Sequence, residues 1–131
     1  MLHRLIRVAV LAISIAAALA LVFAPTTASA APAAATIHVA PQAQLLTGGT
    51  PGVIVTVTYT CLDNSGFGNE VISKDGFSSG ADFLATCDNH SHTVELFNPG
   101  PYTPGIAPVF AHVQSFSGIS RADTNVQVTI K

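Results

Sequence analysis

The residues best placed to do chemistry are a serine loop, a histidine pair and a set of acidic turns. Gly76-Phe77-Ser78-Ser79-Gly80 has the Gly-x-Ser-x-Gly pattern of a hydrolase nucleophile elbow. That elbow works by lifting its Ser on a tight strand-to-helix turn above an α/β sheet. The segment after Gly80 alternates with a period of two, so a plain Ser/Gly loop is expected there. His90-Ser91-His92 is a His-x-His pair that would bind a metal if His112 or His38 converged on it. Parity opposes convergence. His90 and His92 fall on the face of Val94 and Leu96, whereas His112 falls opposite Val109, Ala111 and Val113 and should point outward. Asp63-Asn64-Ser65-Gly66, with Asp88-Asn89, would suit calcium, but the spacing matches no EF-hand loop, and Asx-rich turns are expected. Asn89-His90-Ser91 is also a formal glycosylation sequon. Acid, base and nucleophile do not come together in any of these motifs. The expectation is therefore a protein that is not an enzyme, with no catalytic residues, no cofactor and no metal ligands assigned.

Cys61 and Cys87 are the two cysteines of the chain, and in an exported protein they read as one disulfide. A redox-active pair is the alternative, but the spacing is not Cys-x-x-Cys and the flanks carry no activating cation. The segment from Asn98 to Pro108 is the most distinctive loop, with Tyr102 set among Pro99, Pro101 and Pro104. Prolines lower the entropy lost on ordering, so Tyr102 and Phe97 can form a pre-ordered contact surface. The other reading is a crossover held over the end of the fold by Tyr102.

The elements that must position these residues are strands. Val53-Ile54-Val55-Thr56-Val57-Thr58-Tyr59-Thr60-Cys61 alternates strictly, with Val53, Val55, Val57, Tyr59 and Cys61 on one parity. That pattern predicts a half-buried central strand with one cysteine on its buried face. Ile37 and Val39 predict an edge strand, interrupted at Pro41 and resumed through Ala43 and Leu45. Leu62 to Gly68 reads as a loop, Glu70 to Lys74 as a short weak strand, and Asp75-Gly76 as a hairpin turn. Ser78 to Gly80 reads as loop again. Strands then follow at Asp82–Cys87, His92–Phe97 and Val109–Ser115, the last with Val109, Ala111 and Val113 inward. Val126, Val128 and Ile130 mark the final strand. About seven short strands at roughly 8–12-residue spacing predict an all-β protein, an immunoglobulin-like antiparallel β-sandwich. The chain has no Trp to pack on the disulfide, and Cys87 comes too early to lie on a sixth strand. The bridge should therefore tie the end of the second predicted strand to the fourth or its following turn.

Residues 1–30 read as a secretory signal peptide. Arg4 and Arg7 precede an uncharged apolar run from Val8 to Phe23, and Ala28-Ser29-Ala30 supplies the cleavage site. That run of about 16 residues is short of the roughly 20 that span a bilayer. The domain expected after cleavage is 31–131, secreted and extracellular, with no membrane attachment. After residue 30 the cations are Lys74, Arg121 and Lys131 against seven acids, a net charge of −4. Nucleic acid is thereby disfavoured as a partner, because too few cations are present to displace counterions.

Tyr59-Thr60-Cys61, Ala85-Thr86-Cys87-Asp88, His92-Thr93-Val94-Glu95-Leu96 and Gly105-Ile106-Ala107-Pro108-Val109-Phe110-Ala111 resemble a family of small exported bacterial β-sandwich proteins, a domain of unknown function. The resemblance runs from about Val53 to Ser115 and implies a secreted β-sandwich, without catalytic residues. In a bacterial host the sequon would go unused. The expected function is a non-catalytic binding or structural domain whose partner is an extracellular protein or envelope component. A small secreted protease inhibitor and a metal-binding module using His90 and His92 are the alternatives.

Overall fold

A computed structural model describes residues 35–131. The expected leader and its cleavage site lie outside the described residues. Eight strands and no helix occur among those described: β1 (Thr36–Val39), β2 (Gln42–Leu46), β3 (Gly52–Thr60), β4 (Asn64–Lys74), β5 (Phe77–Cys87), β6 (His92–Pro99), β7 (Gly105–Ser115) and β8 (Arg121–Ile130). They form one hydrogen-bonded path, β1-β3-β2-β8-β7-β4-β5, with β6 also paired to β3.

β3 is the central strand, as its alternation predicts. Val53, Val55, Val57 and Tyr59 are buried along it. It takes β1 and β2 on one side and β6 on the other, all antiparallel. Pro41 separates β1 from β2, because a residue without an N–H cannot continue the ladder. There the chain leans across to β8. Thr129 donates its N–H to Pro41 O at 2.9 Å, and Lys131 donates to Ala43 O at 3.1 Å. The β2–β8 pairing is parallel, a correction to the wholly antiparallel expectation. The kinked edge expected as one strand is two, which brings about seven strands to eight.

The principal core joins Val53, Val55, Val57 and Leu96 of β3 and β6 to Ile72, Val109, Ala111, Val128 and Ile130 of β4, β7 and β8. A second cluster surrounds the disulfide. Cys61 and Cys87 are bonded, with Cα atoms 4.4 Å apart. They lie beside Tyr59, Ala85 and Val113. Tyr59 accepts the Thr86 N–H on its hydroxyl at 3.0 Å and packs its ring on Phe83 at 5.2 Å. The bridge thus joins the end of β3 to the end of β5, strands that are not hydrogen-bonded neighbours. The enclosed separation of 26 residues makes removing it cost about 3–4 kcal/mol in the chain-entropy account. Replacing both cysteines by Ala should lower the urea midpoint accordingly. An unchanged midpoint would mean that the two strands are held as firmly without it.

Three segments expected as loops are strand. β4 begins at Asn64, not Glu70, and only Asp63 and Asn64 turn, with φ of 85° and 75°. Gly66 and Gly68 mimic a turn by composition, yet their hydrogen atoms are needed for close approach. A Cβ on Gly66 would meet the backbone of Gln114, and one on Gly68 would enter the Phe83 ring. Asp75 and Gly76 form the two-residue hairpin turn with φ of 52° and 79°. β5 starts directly after it at Phe77, so Ser78 to Gly80 is strand. β6 runs to Pro99 and β7 starts at Gly105, leaving 100–104 as the irregular part of the Asn98–Pro108 segment. Pro108 is tolerated inside β7 because the β4 ladder ends at Val109, on the side where the Pro108 N–H would point.

Tyr102 is a clasp. It is 8% exposed, its hydroxyl donates to Ile72 O at 3.2 Å, and Ser79 Oγ lies 2.5 Å from the same hydroxyl. Its ring meets Phe77 edge-on at 5.4 Å. Tyr102→Ala should lower stability by about 3–5 kcal/mol, the usual range for deleting a buried ring, whereas Tyr102→Phe should lose about 1 kcal/mol. Urea unfolding of both variants checks this. Equal, negligible losses would show that the loop stays in place without the ring.

Candidate binding surface

Of the polar groups singled out from the sequence, Ser78, Asp88, His90, His92 and His112 each have a partner close by. His92 Nε2 lies 2.8 Å from Asp88 Oδ1, and the His90 N–H donates to that same oxygen at 3.0 Å. These contacts, the His92 one foremost, hold the Asp88 carboxyl below its usual range. The His92 ring stacks on Tyr59 at 5.6 Å. His112 stands elsewhere, on β7 against Phe67, and its Nδ1 hydrogen-bonds Asp123. That bond, aided by Arg121 at 3.2 Å, holds Asp123 low as well. The structure therefore does not bring His112 to His90 and His92. No cluster of three or more His, Cys, Asp or Glu suited to a metal occurs among the described residues. The Gly76–Gly80 pattern lies on the β4–β5 hairpin and runs into a strand, with Ser78 Oγ 2.6 Å from Ser73 Oγ.

The core also holds a buried acid–amide pair. Glu70 on β4 and Asn98 on β6 are both fully buried, and Asn98 Nδ2 donates to Glu70 Oε2 at 2.8 Å. Among the described residues, Glu70 Oε1 and Asn98 Oδ1 have no hydrogen-bond partner. Burial raises the Glu70 pKa to about 7, with the Asn98 bond opposing. The signal was parity. Glu70 shares a face with Ile72, and Asn98 shares one with Val94 and Leu96. Enclosed in the core, the pair bears on stability.

The residues that face outward on β5, β4 and β7 form a different kind of surface. The register lays them in rows. Leu84 lies opposite Phe67, which lies opposite Gln114. Asp82, Asn69 and His112 make the next row, and Gly80, Val71 and Phe110 the one after. Leu84 is 82% exposed and Phe116, beside the Phe67 ring at 5.9 Å, is 62% exposed. Phe67, Phe110, Ile106 and Ile119 are exposed too. Between β4 and β5 lies a shallow cleft of about 500 Å³ lined by Phe67, Asn69, Asp82 and Leu84. Soluble proteins rarely expose a large contiguous apolar patch without a use for it. This face was legible in part, since Phe110 had to point away from Val109 and Ala111. Phe67 and Leu84 are not legible, because Gly66 and Gly68 beside Phe67 have the composition of a turn and Leu84 stands alone between the inward Phe83 and Ala85.

No family model matches the chain, and no curated protein is significantly similar to it. Among the described residues no helix is long and apolar enough to cross a membrane, and the disulfide fits an oxidising, extracellular environment.

Proposed function

We propose that this chain is a secreted, non-catalytic domain of immunoglobulin-like sandwich form that binds an extracellular or envelope partner through the outer face of β5, β4 and β7. The observation that carries the reading is that face, where Leu84, Phe67, Phe110 and Phe116 stand in or near solvent around a cleft. The sandwich form is supported by the way β3 and β6 share one core with β4, β7 and β8. The similarity to exported bacterial proteins, with export by a cleaved leader, belongs to the same reading. The non-catalytic part is supported by the fate of the titratable groups. Asp88 and Asp123 are taken by neighbouring histidines, and Glu70 is enclosed. Tyr102, the aromatic residue of the candidate contact loop, is turned inward, which moves the contact surface to the sheet.

The test compares two photo-crosslinking variants of the folded domain on intact cells of its source. A crosslinker at Leu84 or Phe67 should capture a defined extracellular or envelope protein. One at Gln44, exposed on the far strand β2, should not. Equal capture from both positions, or none from either, would remove the reading.

A further inference from the structure

We infer that the free edge of β5 accepts an extended peptide as an added strand, and that Asp82 selects a partner carrying a basic residue at the position opposite it. The inference rests on the binding reading above and narrows it to one edge and one partner chemistry.

Among the described residues β5 pairs with β4 alone, and its other edge has no strand beside it over the eleven residues of β5. The direction of its hydrogen bonds is set at Thr86, whose N–H reaches away from β4 to the Tyr59 hydroxyl. In an antiparallel pair that direction repeats every second residue. The N–H and C=O groups of Ser78, Gly80, Asp82 and Leu84 therefore point off the sheet edge. No backbone partner from the described residues reaches them. Their side chains face outward as well, and all four residues are exposed. An added strand would thus find backbone groups and readable side chains on the same residues.

Proteins normally blunt such an edge with Lys, Pro, a bulge or shortness. β1 is four residues long and is followed by Pro41, and β6 ends at Pro99. β5 contains no Lys, Arg or Pro and is paired continuously to β4 without a bulge. A long unblunted edge suits strand addition, in which the backbone supplies affinity and alternate side chains supply specificity.

The chemistry of the partner follows from the residues on the edge. Asp82 carries the single charge of β5, and no cation lies within salt-bridge distance of it among the described residues. Lys74 and Arg121 are engaged with Asp75 and Asp123. An incoming Lys or Arg opposite Asp82 meets the one unneutralised acid of this strand. A second copy of the chain meets it with another Asp82 close to the two-fold axis, where like charges repel. Two residues along, Leu84 calls for an apolar side chain opposite. Gly80 presents no side chain, so a large ring opposite it can lie across its backbone. The recognised pattern is apolar-x-basic-x-aromatic in an antiparallel strand.

Two capped synthetic peptides test this, Leu-Thr-Lys-Thr-Phe and Leu-Thr-Glu-Thr-Phe, titrated into the folded domain with amide exchange and chemical shifts read by NMR. The Lys peptide should slow exchange at Ser78, Gly80, Asp82 and Leu84 and bind about tenfold tighter than the Glu peptide, given the size of cross-strand charge pairs. Asp82→Lys should reverse that preference. Leu84→Pro deletes an outward N–H without touching the β4 ladder, and should abolish the protection while the thermal midpoint stays that of a folded domain. Absence of β5 protection with both peptides overturns the inference. So does self-association through β5 without peptide. Shifts confined to Phe67, Phe110 and Phe116 also overturn it, and in that case the outer face remains a binding surface without an added strand.

Discussion

Val55→Asp will unfold the domain at far lower urea than Thr56→Asp, although the two residues are neighbours. Val55 is 1% exposed and lies in the core opposite Leu96 of β6. A carboxylate placed there must lose its hydration with no cation to meet it, or remain protonated. Either route costs about 3–5 kcal/mol, much of what a small domain has. Thr56 points to the other side, half-exposed and opposite Glu95. Aspartate there stays hydrated and loses some strand preference plus a like-charge contact with Glu95, together about 1 kcal/mol. Equal midpoints for the two variants would mean that the buried face of β3 has been assigned to the wrong parity.

Glu70 gives the second large effect, and it appears as a pH dependence. The folded pKa is about 7 against an ordinary 4.5, so the folded domain holds its proton more tightly than the unfolded chain does. Stability from this group is therefore complete below pH 4.5, falls as pH rises, and is gone above about 7. The span amounts to about 3 kcal/mol. Asp88 and Asp123 act in the opposite sense and only below their ordinary 3.8, so they do not mask this window. The chemistry is visible in the two orphan atoms. A protonated Oε1 has a hydrogen to donate, and Asn98 Oδ1 is the acceptor without one. Glu70→Gln supplies an N–H in place of that proton and cannot ionise. The variant should match the native domain near pH 4, exceed it at pH 8, and show a flat profile between. A Gln variant that keeps the native slope would place the titration elsewhere in the chain.

These two effects also mark how far the residues could be read without coordinates. The β3 parity is legible because five core positions alternate without interruption with Ile54 and three threonines. Val109, Ala111 and Val113 were legible for the same reason. Glu70 and Asn98 were not, because polarity normally reports exposure and here each is buried against the other. The start of β4 is hidden in the sequence because its glycines resemble turn residues, while their use is to let Gln114 and Phe83 come close. That use depends on which strands become neighbours, and β4 pairing with β7 is a long-range fact that local composition does not contain. The same holds for Tyr102, whose partners Ile72 and Ser79 are remote in sequence.

The parallel junction of β2 with β8 has a consequence in time as well as in space. The β4–β5 and β7–β8 hairpins join strands that are neighbours in sequence, and hairpins of this kind close in about 1–10 μs. Ala43 and Ile130 are separated by almost the whole described chain. Loop-closure entropy opposes that meeting until the intervening contacts exist. The edge of β8 that β2 covers is therefore the last to be shielded. A chain interrupted before that step exposes the edge of β8 in addition to that of β5, and the half-formed domain is most prone to aggregate in that interval.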